Sequence, residues 1–265
     1  MRVGALEILP VHDGWARMPA GALLRFTGGR DEPWLPHEEF INPDGTIQLS
    51  LGGFLVRTGG RIVIIDAGAG RISNDVYHGG EFLESLAAHG VGPDDVTDVV
   101  FTHLHFDHVG WATQKGTVVF PQATFRCHQE DWEHFVAGPN PEAGSVRKLS
   151  PLSDRLETFS GDTTLAPGIT VRHAPGHTPG SAVIVVADGT DRALLLGDVV
   201  HCPVELMEND WEAVVDVDPA LARRTREALA KELEGSDVPA AAAHFPGLRF
   251  GRLLAGSGRR QWTFS

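Results

Sequence analysis

The chain has 265 residues, 42% hydrophobic and 22% charged, a composition that excludes a disordered or fibrous class and fits an ordinary folded protein. Its 35 acidic against 22 basic side chains give a formal net charge of −13, which repels a polyanion, so nucleic acid is not an expected partner. No stretch reaches the ~20 apolar residues that cross a bilayer, and Met1 to Glu7 lacks the apolar run of a signal peptide, so a cytoplasmic protein without membrane contact is expected.

No Ser/Pro-rich or Gly/Ser-rich linker interrupts the chain, and a single domain over 1–265 is expected. Residues 15–48 are rich in Gly, Pro and aromatics without a sustained period and read as an irregular insertion. Two β-rich runs follow, Gly53 to Thr58 and Arg61 to Asp66, joined by Gly59-Gly60 as a hairpin. Phe82, Leu83 and Leu86 recur at helical spacing in Glu81 to His89, with Gly90 as the stop. Strands are predicted at Val96 to Phe101, Thr117 to Phe120 and Thr124 to Cys127, then a helix at Gln129 to Val136. Gly138 to Ser160 reads as a second irregular region with a helix near Leu152 to Phe159, and both irregular regions are expected to border the active site. Strands at Ile169 to His173, Ala182 to Ala187 and Ala193 to Leu196 precede a last helix, Pro219 to Leu233, with proline in its first turn. Strands and helices that interleave in this way indicate an α/β class, layered as αββα.

The two cysteines, Cys127 and Cys202, do not make a disulfide framework, and each reads as a small buried hydrophobe. The 13 histidines are the anomaly. Directly after the strand at Val96 to Phe101 stand His103, His105, Asp107 and His108, a density of ligand-type side chains that core packing does not explain. Alternation sends His103 and His105 to one side, and the following turn swings Asp107 and His108 towards a second centre. Three further candidates sit at strand ends or in turns: His177 in Ala174-Pro175-Gly176-His177-Thr178-Pro179-Gly180, Asp198 after Ala193 to Gly197, and His244 after Pro239 to Ala243. His103, His105 and His177 suit one divalent ion, Asp107, His108 and His244 another, and Asp198 bridges. Such ligands fit zinc and also manganese, iron or cobalt. Two ions so placed would hold a bridging hydroxide, the nucleophile of a hydrolase. His12, His37, His78, His89, His128, His134 and His173 stand outside any ligand pattern and are expected in surface or core roles.

The run His103-Leu104-His105-Phe106-Asp107-His108, followed in order by Gly176-His177, Gly197-Asp198 and Ala243-His244, resembles the metallo-β-lactamase superfamily over Gly53 to His244. The resemblance implies an αββα sandwich with two metals at one edge, and it implies that Asp66 supports the ligands from behind. Within the superfamily the chain looks closest to the lactonase and methyl-parathion-hydrolase-like branch. A lactone or ester substrate is therefore expected, with phosphotriester or aryl ester turnover as a side activity and a thioesterase of glyoxalase II type or a one-iron persulfide dioxygenase as alternatives. Related lactonases carry a tyrosine where this chain has His201, which is read either as a donor to a developing oxyanion or as a support for its neighbours. Asp107 and Asp198 are the candidate proton carriers. Phe106, Trp111, Trp15, Trp34 and Trp211 are the candidates for an aromatic pocket lining around a small-molecule substrate. A homodimer is expected by analogy with relatives that share an amino-terminal insertion.

Overall fold

A computed structural model of the protein describes residues 1–256 and 258–265. Two sheets lie face to face. The first runs in the order Leu156–Phe159, Thr124–His128, Asp98–Val100, Arg61–Ile65, Thr46–Thr58, Leu6–Pro19, Tyr77–Gly79 and Ile72–Ser73, with Arg2–Val3 paired to Leu6–Pro19. The second runs Thr163–Ala166, Ile169–His173, Ala182–Asp188, Asp191–Leu195, Ala240–Ala241, Gly251–Leu254 and Gln261–Phe264.

Alternation along the strands sorts their side chains into three cores, because successive residues face opposite sides of a sheet. Phe54, Val56, Val63, Ile65 and Val100 from the first sheet meet Ile169, Val171, Ile184, Val186 and Leu195 from the second. The intervening Leu55, Ile64 and Val99 face outward onto Phe82 and Leu86 of the helix Phe82–Ala88. On the far side Val183 and Leu194 pack against Leu229, Ala230 and Leu233 of the helix Pro219–Leu233. The αββα layering expected from the sequence is therefore present. Strands buried on both faces read as continuous apolar runs, which is why Arg61-Ile62-Val63-Ile64-Ile65 and Ala193-Leu194-Leu195-Leu196 stood out.

The hairpin closes with Thr58 opposite Arg61, and Gly59 and Gly60 at φ +50° and +77° make the two-residue turn that matches strand twist. The helix Pro219–Leu233 starts where predicted, with the Asp218 side chain accepting from Leu221 N at 2.9 Å. Other expectations need correction. Much of the 15–48 region is regular: Leu6–Pro19 and Thr46–Thr58 run antiparallel along its two ends, and Ala20–Leu23 is a helical turn between them. The helix expected near Leu152 to Phe159 is instead the strand Leu156–Phe159, paired in parallel with Thr124–His128, and the helix lies upstream at Ala143–Leu149. Both cysteines are buried, as expected, and neither is in a disulfide. Among the described residues no helix is long and apolar enough to cross a membrane.

One end of this sandwich gathers chain turns. The parallel pairing of Asp191–Leu195 with Ala240–Ala241, and the antiparallel pairing of both Ile169–His173 and Asp191–Leu195 with Ala182–Asp188, bring three strand carboxyl ends to the same edge. Ala182 N donates to Thr102 O at 2.9 Å, which ties that edge to the end of Asp98–Val100 in the other sheet. The loops carrying His103 to His108, His177, Asp198 and His244 thus open at one place.

Candidate metal centre

His103, His105, His177 and Asp198 form one group of converging ligand atoms, and Asp107, His108 and His244 form another. His105 Nδ1 lies 2.9 Å from His103 Nε2 and 3.0 Å from His177 Nε2. Three imidazole nitrogens cannot satisfy one another, since a neutral ring offers one donor and one acceptor. Asp198 stands between the groups: its Oδ1 is 3.2 Å from His108 Nε2, while its Oδ2 is 3.1 Å from His244 Nε2 and 3.7 Å from both His103 and His177 Nε2. His108 Nε2 and Asp198 Oδ1 are buried without a hydrogen-bond partner. Native proteins seldom leave such atoms orphaned, and nitrogen and carboxylate donors converging on two points are the donor set of divalent ions. The residues present fit a pair of metals.

Each ring is oriented from behind. His108 Nδ1 faces Asp66 Oδ2 at 2.9 Å, His177 Nδ1 faces Asp216 Oδ1 at 3.1 Å, and His244 Nδ1 faces Ser50 O at 2.9 Å, so all three present Nε2 forward. Asp66 also accepts from Thr102 N at 2.8 Å and from Thr102 Oγ1 at 2.7 Å, so it clamps the loop as well as the ring. It does so from a left-handed backbone conformation, φ +61°. Gly176, at φ +134°, brings the His177 loop against the helix Pro219–Leu233 so closely that a Cβ would stand 2.2 Å from Ala222 N.

Electrostatics divide the two groups. Burial pushes His103 well down, His105 down to about 3 and His177 down, leaving neutral rings with lone pairs to give. Burial acts the same way on His108 and His244, but there the Asp198 carboxylate outweighs it, helped by Asp66 and Asp107 respectively, and raises both. The positive charge drawn to that side is what a cation would replace. An ion entering the His103/His105/His177 side displaces no proton at neutral pH, whereas one entering the Asp107/His108/His244 side must. Affinity at the second side is expected to climb with pH through neutrality, by up to about tenfold per unit for each proton displaced. Calorimetry in buffers of different ionisation heat reads this directly, and pH-independent uptake at both sides would contradict it.

A cavity of about 240 Å³ opens onto these groups, lined by His105, Asp107, His177, Asp198, His201 and His244 at its base and by Met18, Leu23, Leu49, Tyr77, Phe106 and Val215 on its walls. Of the five aromatic candidates only Phe106 lies on that lining; its ring meets Tyr77 edge-on at 5.1 Å. Trp111 is 1% exposed and donates to Asp13 Oδ1, and Trp15 stacks on His78 at 4.1 Å. Trp34 packs on Trp211 at 4.4 Å beneath the insertion. Trp111 and Trp211 were drawn into cores, Trp15 stays at the surface, 37% exposed, and aliphatic residues of the insertion took the cavity wall. The insertion borders the site as expected, whereas Leu149 and Leu152 of the second irregular region join the core under the first sheet.

Sequence reading missed three carboxylates. Asp13 is fully buried and accepts from Ala69 N, Gly70 N, Gly80 N, Phe82 N and Trp111 Nε1 at 2.7 to 3.0 Å, fixing the loop that follows Asp66. Asp131, which burial raises to about 6, accepts from Leu104 N, Thr178 Oγ1 and Gly180 N and so ties the two histidine loops together. Asp216 holds His177. A third histidine group, His128 and His173 with Glu130, lies close together. Its two rings stack 4.1 Å apart at 11°, so their in-plane lone pairs run side by side, and both His128 nitrogens face backbone N–H groups at 3.2 Å. That geometry is packing, as expected for both residues.

The class of protein is thereby set: a divalent-metal hydrolase on an αββα sandwich. The chain belongs to the metallo-β-lactamase superfamily, whose model matches residues 53–244. It is 23% identical over 214 residues to an N-acyl homoserine lactonase of a Bacillus species, an alignment covering 72% of this chain and 81% of that protein. Among solved structures, AbOPH, described as a hydrolase of the β-lactamase superfamily, is similar with a TM-score of 0.86 and 26% identity, over 99% of this chain and 95% of that one. AidC, described as a dizinc quorum-quenching lactonase, shares the fold with a TM-score of 0.85 and 24% identity, over 99% of this chain and 95% of that one.

Proposed function

We propose that the chain hydrolyses a lactone or ester bearing an apolar group, with two zinc ions as the resident metals. The observation that carries the reading is the cavity: a base of metal-type ligands centred on Asp198, and walls of Met18, Leu23, Leu49, Phe106 and Val215 with no lysine or arginine among the lining residues. Such walls favour an uncharged, carbon-rich substrate and offer no partner to the carboxylates of a glutathione thioester or persulfide. Manganese, iron and cobalt suit the same donors. Bound ions would lower the pKa of a bound water towards ~7 and draw electron density from a carbonyl oxygen.

The chain's own residues supply the rest. His201 lines the cavity, with Nε2 3.4 Å from Asp198 Oδ2 and Nδ1 3.6 Å from Glu205 Oε2. Burial works against its charge, but these two carboxylates raise it to about 10. From this position on the cavity lining, His201 is placed to hydrogen-bond the oxygen on which charge develops or to pass a proton to the departing alkoxide. Asp107 stands 3.6 Å from His244 Nε2 at the cavity edge, where it can pass a proton to solvent. The lactonase names among the relatives support the substrate, and phosphotriester or aryl ester turnover as a side activity rests on the shared hydrolytic chemistry alone.

A panel of lactones, aryl esters, thioesters and phosphotriesters against metal-loaded protein tests this. The expected result is a kcat/KM for lactones at least ~100-fold above thioesters and phosphotriesters, or ~2.7 kcal/mol of transition-state discrimination. A comparable preference for a thioester or phosphotriester, or oxygen consumption by a one-iron protein, would overturn it.

A further inference from the structure

Behind His177 and His201 lies a closed run of buried charges that neither packing nor metal ligation requires. Asp216 holds His177 Nδ1 through Oδ1 and accepts from Arg226 Nη1 and Nη2 through Oδ2, at 3.0 and 3.1 Å. Arg226 Nη1 is also 3.5 Å from Glu205 Oε1. The other oxygen of Glu205 accepts the backbone N–H groups of His201 and Cys202, at 2.6 and 3.0 Å, and faces His201 Nδ1. The side chains of Asp216 and Glu205 have no solvent exposure and that of Arg226 has 3%.

Arg226 comes from the inner face of the helix Pro219–Leu233, where the other buried residues are Ala222, Leu229, Ala230 and Leu233. An apolar side chain there would avoid the cost of desolvating an arginine and two carboxylates, which well-packed hydrophobes often match or better. The charge is spent on geometry. We infer that Arg226 is a positioning residue that couples the ligand His177 to the cavity imidazole His201, resting on the metal-centre reading above. Its guanidinium aims the Asp216 carboxylate through two hydrogen bonds, so that His177 presents Nε2 to the first ligand group. The same guanidinium faces Glu205 as a 3.5 Å ion pair without a hydrogen bond, and the backbone contacts of Glu205 fix the turn that places His201 beside Asp198. One side chain thereby sets a ligand of one metal and the cavity imidazole next to the carboxylate shared by both.

Cobalt(II) titration of the metal-free protein, followed by calorimetry and visible absorption, tests the assignment. Arg226→Met is expected to weaken one of two cobalt ions by about 10- to 100-fold while the other holds. The weakened ion is the one whose bands vanish in His177→Ala. Arg226→Lys keeps the charge without the two-pronged fork and is expected to fall between wild type and Arg226→Met, and it carries the test if the methionine variant does not fold. Leu229→Ala removes core volume from the same helix; it is expected to lower Tm and leave both cobalt affinities unchanged. Wild-type affinity for both ions in the arginine variants would overturn the role, as would the same selective loss in Leu229→Ala. Wild-type protein that binds no cobalt would overturn the metal-centre reading itself, and this coupling with it.

Discussion

Alanine in place of Asp198 is expected to lower kcat/KM by at least ~10³-fold, about 4 kcal/mol of transition-state stabilisation, and to leave fewer than two ions per chain. No other side chain in the centre reaches so many partners: the Asp198 carboxylate lies within 3.7 Å of nitrogens on His103, His108, His177, His201 and His244. Its loss removes the bridge between the two ligand groups and also the charge that raises His108, His201 and His244 in the metal-free protein. Asp198→Asn keeps the volume and removes the charge, so it separates the two effects; it is expected to lose nearly as much. Metal analysis beside kinetics on the preferred lactone reads both, and an alanine variant with two ions and unchanged turnover would sink the proposed site.

The largest effect on stability is expected from a residue that touches no ligand. Asp13→Ala should cost about 3 kcal/mol or more, because it strands the backbone N–H groups of Ala69, Gly70 and Phe82 and the Trp111 indole inside the protein, while Gly80 N keeps the Asp13 carbonyl as acceptor. Part of that loss is offset by removing a carboxylate that burial already holds above its ordinary pKa. The strand Leu6–Pro19 bulges between His12 and Gly14 to turn Asp13 inward. Gly14, at φ +138°, passes so near His78 that a Cβ would stand 1.9 Å from its carbonyl oxygen. A urea titration measures the change, and a shift below ~1 kcal/mol, the worth of a single ordinary hydrogen bond, would show that water replaces the carboxylate.

These two aspartates mark what the chain disclosed and what it withheld. Asp198 was legible because it ends an apolar strand, and His103 to His108 because four ligand-type residues at a strand's end have no packing role. Asp13, Asp131, Asp216 and Arg226 were not legible. Their partners lie on other elements, 27 residues away for Asp131 and Leu104 and 39 for Asp216 and His177, and no local spacing encodes such a meeting. The same limit applies to the first long strand. Pro10, Asp13 and Gly14 break the alternation of Leu6–Pro19, and only its pairing along Thr46–Thr58 makes it a strand. The segment Leu156–Phe159 was misread for a related reason: it is a sheet-edge strand whose Glu157 and Thr158 face solvent, so it shows no buried run to identify it. The pocket was the least legible part. Tryptophans suggested an aromatic wall, but Trp111, Trp211 and Trp34 pack in or against cores, Trp15 stacks on His78 at the surface, and the insertion turned Met18 and Leu23 towards the cavity instead.

The central claim is that Asp198 joins two metal positions. Crystals of the protein loaded with zinc, measured on both sides of the zinc absorption edge, test it most directly. The account predicts two anomalous peaks ~3.5–4 Å apart, one among His103, His105 and His177 and one among Asp107, His108 and His244, with the Asp198 carboxylate between them. A single peak, or two peaks that Asp198 does not join, would contradict it.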